Sequence, residues 1–473
     1  MSVKRVILAA SMSSVLAACA VGPDYQVPES AVAAAFKGTA VQSDQWIEAK
    51  PGQAWIRGDW WTDFNDAELN QLMLTLNQEN QTVAQALARY QAAIAQTRGS
   101  RADLFPTLGS TTSASRSGGS ETDTSSRYSL GADVSWEVDL WGRISRQVEA
   151  SSASEEAAAI NLADARLSMQ AELLQNYFAL RSTDLERQLL RQIINAYEQS
   201  LQITRNRYEQ GVAAYADVVA AEAQLENARV DAISIETTRS AHENAIAVLI
   251  GQTPSTFSLT EKPNYLPALI TIPLGLPSEL LRSRPDIAAA ERNVAAANAE
   301  IGVAQSAWFP RLNLSASGSY QESNFSDWIS SPINVWSLGP QLVLSILDGG
   351  ARRASVDSAK AGYQAEVAAY RQTVLEAMRE VENALTEGVN LVREQDAQQR
   401  ALNASRQSLE ITLNQYQAGL VDFLSVAQVQ NSTYNAEIRQ LNLRANRLQN
   451  QVNLIRALGG GWENPRLLQA SNE

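Results

Sequence analysis

The sequence predicts a mainly α-helical protein with β-hairpins, built from two copies of one repeat. Each copy runs helix, β-hairpin, long helix, return helix. Three observations predict this. The stretch RYEQGVAAYADVV from Arg207 is rewritten as QYQAGLVDFLSVA from Gln415. Each version closes a long run that contains no proline. Ahead of each run lies a Ser-, Thr- and Gly-rich segment whose apolar residues recur at every second position, the period of a strand.

The duplication extends beyond the two bends. Tyr208 matches Tyr416, Gly211 matches Gly419, Tyr215 matches Phe423, Val218 matches Val426 and Gly251 matches Gly459. All keep one spacing, and Ser129 with Ser337 and Gly142 with Gly350 keep it too. Phe105-Pro106 recurs as Phe309-Pro310 at a slightly shorter spacing, so the segment after it is longer in the second copy. So long an unbroken series marks an internal repeat.

The chain opens with MSVKRVILAASMSSVLAACA. Lys4 and Arg5 form a positive region, Val6 to Leu16 a short apolar one, and small residues follow, which is the layout of a secretory leader. Leu16-Ala17-Ala18-Cys19 resembles a bacterial lipobox, whose cysteine is lipidated and becomes the new N-terminus. The other reading is a plain signal peptide cut nearby, with Cys19 incidental. The only cysteine in the chain falls at the one position a lipobox needs, which favours lipidation. Residues 1–18 then form the signal peptide, and 19–58 a lipidated N-terminal strap opening on AVGPDYQVPES. The first repeat covers 59–251, a Pro-rich linker 252–276, the second repeat 277–459 and a C-terminal tail 460–473.

Composition narrows the function. The formal net charge of −13 argues against a nucleic-acid partner. A single cysteine leaves no internal disulfide framework and no multi-cysteine metal site. No later stretch reaches the roughly 20 consecutive apolar residues of a spanning helix. A membrane crossing would therefore be made by strands.

Within each copy the elements follow in order. ELNQLMLTLNQENQTVAQALARYQAAIAQTRGSRADL and PDIAAAERNVAAANAEIGVAQSAW are rich in helix formers, and each stops at Phe-Pro, where proline disfavours the α conformation of the residue before it. Hairpins are expected at about 107–138 and 311–347. Leu130, Ala132, Val134, Trp136 and Val138 alternate with Ser129, Gly131, Asp133, Ser135 and Glu137. Leu312 and Leu314 alternate with Asn313 and Ser315; Trp336, Leu338, Leu342, Leu344 and Ile346 alternate with Ser337, Gly339, Gln341 and Ser345. TLGSTTSASRS shows the pattern weakly. Trp136 and Trp336 read either as sheet core or as interfacial anchors.

Long helices are expected over Arg143–Glu209 and Arg352–Gln417, each a rod of about 100 Å at 1.5 Å per residue. Gly211 and Gly419 end them as left-handed C′ residues. Return helices run to Gly251 and Gly459. Tyr434, Ile438, Leu441, Ala445, Leu448, Val452 and Ile455 form a heptad-like seam on the second. Leu225, Ala228, Ala232, Ile235, Ile246 and Leu249 form a matching one on the first, interrupted by Arg239 and His242. Asp422 is placed to cap the second return helix, whereas Ala214 at the matching place is not. Four strands are too few to close a barrel, and open edges do not face lipid, so several chains would share one.

The stretches LAAC, DWWTDFNDAELNQLM, SWEVDLWGR, LLRSRPDIAAAERNVAAANAEIGVAQSAWFPRLNL and SILDGG, together with the two glycine bends, resemble the TolC-like outer-membrane efflux factors in their lipidated, OprM-like branch. The resemblance covers nearly the whole mature chain. It implies a homotrimer: a 12-stranded outer-membrane β-barrel continued by a 12-helix periplasmic α-barrel. It also implies a periplasmic adaptor and an inner-membrane efflux pump as partners, with drugs, metals or other small molecules as cargo. By the same resemblance the second bend narrows the periplasmic mouth. Where acids often ring the pore this chain has Ser425 and Gln428, while Leu424 fits an apolar constriction and Asp422 is the nearest acid. Asp217 fits a latch carboxylate, but its usual arginine partner is Val421 here. Gly211, Val212 and Ala213 with Gly419, Leu420 and Val421 are the expected adaptor contact. Tyr208 and Tyr416 read as packing that sets each bend or as direct gating residues.

Two other function classes compete with this reading. An enzyme would need a catalytic group, and the only histidine, His242, reads as a packed side chain. The sequence shows no phosphate loop, cysteine nucleophile or metal-ligand cluster, so no cofactor is expected beyond the covalent lipid on Cys19. A lipidated periplasmic adaptor or scaffold would carry similar long helical hairpins, but would not need two alternating β-hairpins.

Overall fold

The computed structural model describes residues 20–30, 32–37, 46–48, 58–120, 122–274, 278 and 283–462. Cys19, the leader and the tail beyond residue 462 lie outside the described residues. In chain order the elements are β1 (Trp46–Glu48), a 3₁₀ turn (Trp60–Phe64), α1 (Ala67–Glu79), α2 (Gln81–Ala102), β2 (Thr107–Gly119) and β3 (Thr122–Val138). Then come α3 (Arg143–Glu209), α4 (Tyr215–Leu249), a second 3₁₀ turn (Pro254–Thr256), β4 (Ile272–Leu274) and α5 (Pro285–Ser306). The series ends with β5 (Arg311–Glu322), α6 (Phe325–Ser330), β6 (Ile333–Val343), α7 (Ala351–Gln417) and α8 (Phe423–Ala457). The duplicated order is thus present, and the long helices α3 and α7 have 67 residues each.

The chain divides into two compact units, one of residues 1–30, 88–160 and 288–373, the other of 31–87, 161–287 and 374–473. The first unit holds a four-stranded sheet in the order β2-β3-β5-β6. Every pairing is antiparallel. The two hairpins join through β3 and β5, with Leu130 opposite Tyr320 and Val138 opposite Leu312. β2 and β6 are the edges. The Ser- and Thr-rich first strand pairs along its length with β3, helped by hydroxyl pairs such as Ser113 with Ser129 at 2.7 Å. The last strand stops at Val343, so Leu344 and Ile346, expected on it, instead lie in the exposed approach to α7. Asp348 ends that approach by accepting hydrogen bonds from the backbone N–H of Gly350 and Arg352.

In the same unit residues 20–25 of the N-terminal strap are docked on the fold. Val21 donates its N–H to the carbonyl of Trp141 at 3.0 Å, Arg146 Nε donates to the carbonyl of Val21 at 3.2 Å, and Asn298 Nδ2 donates to that of Pro23 at 2.9 Å. Tyr25 hydrogen-bonds Glu291 and lies under the guanidinium of Arg292. The approach is close enough to require glycine twice. A Cβ on Gly22, which has a φ of +116°, would lie 2.6 Å from Cα of Gly302, and one on Gly302 would lie 2.8 Å from the carbonyl oxygen of Val21.

The second unit is helical except for β1 and β4, which pair in parallel. That pairing joins three residues of the strap to three of the linker, segments whose composition reads as irregular. The single helix expected before the first hairpin is broken at Asn80. Its extended backbone ends α1, its side-chain Oδ1 accepts from the N–H of Val83 to start α2, and its Nδ2 donates to the carbonyl of Leu249. Both return-helix seams are buried where they pack. Val218, Leu225, Ala228 and Val426 share one core with Leu190, Ile193, Tyr197, Leu201, Tyr416 and Phe423. Farther along, Ala445, Leu448, Val452 and Ile455 are buried too.

Candidate functional site

The sheet has two chemically different faces. Side chains alternate along each strand, and the register carries that alternation across all four. One face presents Leu108, Leu130, Val134, Trp136, Leu312, Leu314, Trp336, Leu338 and Leu342. The other presents Thr111, Ser113, Gly131, Asp133, Ser135, Asn313, Ser315, Ser317, Ser337 and Gln341. The apolar face is bare in one chain: Leu108, Trp336 and Leu338 are each about three-quarters exposed. Trp136 is half-buried and donates its Nε1–H to the carbonyl of Leu104 at 3.0 Å, whereas Trp336 stands exposed. Among the described residues no helix is long and apolar enough to cross a membrane.

The helical bends form two tips. Gly211 and Gly419 take the left-handed conformation, with φ of +74° and +76°. The backbone closes in the same way at both. Val212 N–H donates to the carbonyl of Arg207 and Gly211 N–H to that of Tyr208, while Leu420 and Gly419 do the same to Gln415 and Tyr416. This is the Schellman arrangement, which satisfies the last carbonyls of a helix and needs glycine at C′. Asp422 caps α8 as expected, accepting from the N–H and the hydroxyl of Ser425 at 2.9 and 2.7 Å. Those hydrogen bonds hold its carboxyl below the usual range. Ala214 caps α4 with no side-chain bond.

The two tips differ in what they bury. Tyr416 and Phe423 of the second tip are 4% and 0% exposed, whereas Tyr208 and Tyr215 of the first are 45% and 62% exposed. Tyr416 is therefore packing, and Tyr208 is surface. Leu424 and Gln428, one helical turn apart on α8, are both exposed on one face, while Ser425 is half-buried and committed to Asp422. Val212 and Leu420 are exposed at the ends of the bends, but Val421 packs against the core. Asp217 lies in the first turn of α4 and is half-buried.

Sequence reasoning missed the residue that ties the tips together. Arg207 Nη1 donates to the carbonyl oxygen of Tyr416 at 2.7 Å, and its guanidinium lies over the Tyr416 ring at 4.6 Å from the centroid. A cation on the carbonyl end of α7 is favoured by the helix dipole. The hydroxyls of Tyr416 and Thr204 lie 3.3 Å apart beside it.

A buried ionic network was missed as well. Arg181 and Asp184, one turn apart on α3, are both fully buried and paired at 2.8 Å, and Arg239 of α4 joins Asp184 at 2.7 Å. Arg181 also holds Glu68 and the carbonyl of Thr260, and Arg239 holds that of Leu259. Arg239, which interrupts the seam, thus anchors the linker. Burial works to raise the carboxyls of Asp66 and Glu68. Hydrogen bonds from Tyr177 and Tyr265 to Asp66, and Lys262 and Arg181 beside Glu68, outweigh it and hold both below their ordinary range. His242 is half-buried, lies 3.1 Å from Asn176 Oδ1 and is pushed down by burial.

With this geometry the comparisons decide the family. The outer membrane efflux protein family matches residues 72–252 and 276–460. The chain belongs to that family. It is 33% identical to the outer membrane protein OprJ of Pseudomonas aeruginosa, over 96% of this chain and 95% of the relative. It is 31% identical to ArpC of Pseudomonas putida, an antibiotic efflux pump outer membrane protein, over 97% and 96% of the two chains. Among solved structures the outer-membrane channel OprN superposes with a TM-score of 0.86 at 34% identity, covering 94% of this chain and 100% of that one. The match takes in the second copy of the repeat and the first from residue 72 onward.

Proposed function

We propose that this chain is the outer-membrane exit duct of a tripartite efflux pump, working as a homotrimer with a periplasmic adaptor and an inner-membrane pump. The observation that carries the reading is the open sheet with one apolar face, one polar face and two unpaired edges. That alternation suits a barrel whose outside meets lipid and whose inside meets water. Edges do not face lipid, so the sheet closes only with sheets from other chains. Three chains of four strands make 12. The tips then form the periplasmic mouth, with Leu424 as its apolar ring, Asp422 at the rim, and Ser425 and Gln428 beside it. Gly211, Val212, Ala213, Gly419, Leu420 and Val421 are the surface offered to the adaptor. The cargo is small molecules of the antibiotic class, by analogy with the pump for which ArpC is named.

Cys19 is proposed to carry lipid. The residue that follows it, Ala20, lies against Gly142 just past the end of β3, which is where an acyl chain would meet the bilayer beside the sheet. The lipid is an addition to the barrel, since one acyl chain gives only marginal membrane binding.

The test is expression in outer membranes followed by gel electrophoresis with and without heating, and by planar-bilayer recording. A heat-modifiable, detergent-resistant oligomer that conducts ions is expected. A monomer extracted by carbonate that never conducts would overturn the duct and favour a lipidated adaptor.

A further inference from the structure

We infer that the exposed Tyr208–Tyr215 pair is covered by a second copy of this chain, resting on that copy's Thr412 and Gln415. The inference rests on the duct reading, in which several chains share one mouth. The chain itself displays the contact once. In the second tip the rings of Tyr416 and Phe423 meet edge to face at 6.0 Å and are buried. What covers Tyr416 is the end of α3. Thr204, fully buried, donates its hydroxyl to the carbonyl of Ser200 at 2.9 Å and keeps its lone pairs for the Tyr416 hydroxyl. Arg207 covers the ring.

In the first tip the corresponding rings, Tyr208 and Tyr215, also pair, at 5.5 Å, yet both stand exposed. The surface that would cover them in the same geometry is the end of α7. It reads ITLNQYQAG where the end of α3 reads ITRNRYEQG. Thr412 stands where Thr204 stands, and it donates to the carbonyl of Ser408 at 2.8 Å just as Thr204 does to Ser200. Its lone pairs are presented in the same way, and it is only half-buried. Gln415 stands in the place of Arg207 and is exposed. Within one chain the first tip already covers the second. Repeating the contact therefore requires the α7 end of another chain. The two joints so formed are unequal: the one inside the chain carries a charged arginine, and the one between chains carries a neutral glutamine.

The test places the photoreactive residue p-benzoylphenylalanine at position 208 of the full-length chain in outer membranes assembled from mixed light and heavy isotope-labelled chains. The same residue at position 416 serves as the positive control, because it must mark the α3 end of its own chain. Irradiation is expected to join position 208 to a peptide spanning Leu409 to Gln417 in mixed-isotope products. If the heat-modifiable oligomer is present and the control reacts, but position 208 marks another protein, its own chain only, or nothing, the inference falls and the duct reading stands. If the oligomer itself is absent, the duct reading falls and takes the inference with it.

Discussion

The guanidinium of Arg207 and the carbonyl oxygen of Tyr416 meet at 2.7 Å, so the first copy of the repeat caps the long helix of the second. The same arginine packs on the Tyr416 ring. A cation at a helix carbonyl end contributes about 0.3–1 kcal/mol, up to ~2 when partly buried, and the ring contact about 0.5–1 more. Arg207→Gln is therefore expected to loosen the second tip and raise single-channel conductance, while leaving the detergent-resistant oligomer intact. Unchanged conductance would show that the second tip is held by its core alone.

The joint between chains invites the opposite change. Gln415→Arg would supply the missing cation against Tyr208 of the next chain, copying the Arg207 contact. Basal conductance is expected to fall below wild type. A rise would mean that position 415 faces something other than the Tyr208 ring.

Leu424 and Gln428 share an exposed face of α8, so the two substitutions separate size from polarity. Apolar rings gate by excluding water. Leu424→Ala is expected to raise conductance and to sensitise cells to large antibiotics such as vancomycin. Gln428→Ala should change little, since it removes no charge. The reverse ranking, read in the same recordings, would put the constriction elsewhere.

The strap can be prised off at one point. A side chain at Gly302 would collide with the Val21 carbonyl, so Gly302→Val should expel residues 20–25 from their groove. Limited proteolysis is expected to release the N-terminal peptide faster than in wild type. Equal cleavage rates would mean that the strap is held chiefly by Tyr25 and Arg146.

Acid should weaken the second unit through Asp66 and Glu68. Both carboxyls are held low in the folded chain, so their stabilising contribution is complete above the ordinary carboxylate range and is lost as the pH falls through their lower folded values. Helical circular dichroism followed below about pH 4 should decline later in an Asp66→Asn, Glu68→Gln double variant, relative to its own neutral-pH stability. Parallel curves would remove these two groups from the acid transition.

Much of this molecule is legible in its amino-acid sequence, because many of its signals are local. Gly211 and Gly419, the proline-free runs, Phe-Pro before each hairpin and Asp422 ahead of α8 all act within a few residues of themselves. The strand alternation is equally local, and even the weak TLGSTTSASRS is held by its partner β3. Arg207 is not legible in this way, since its partners lie in the other copy and Arg207 itself resembles any surface arginine near a helix end. Arg181 and Asp184 look like an ordinary i, i+3 surface pair, and it takes α1, α4 and the linker packing around them to make them core. Asn80 sits amid good helix formers, and besides its local cap on Val83 it is held by the Leu249 carbonyl far along the chain.

The bare edges of β2 and β6 carry a cost that a lone chain cannot escape. In hydrocarbon each unmet backbone group costs several kcal/mol. A solitary chain is thus a poor lodger in the bilayer, and in the proposed trimer its sheet would gain full stability only as the ring closes. Entry into the membrane and association would then be a single event, steeply dependent on how many chains are present at once. Dilution should leave the helical part folded and strand the sheet outside, where its exposed leucines and tryptophans invite aggregation. A cell that builds such a ring must deliver its copies together.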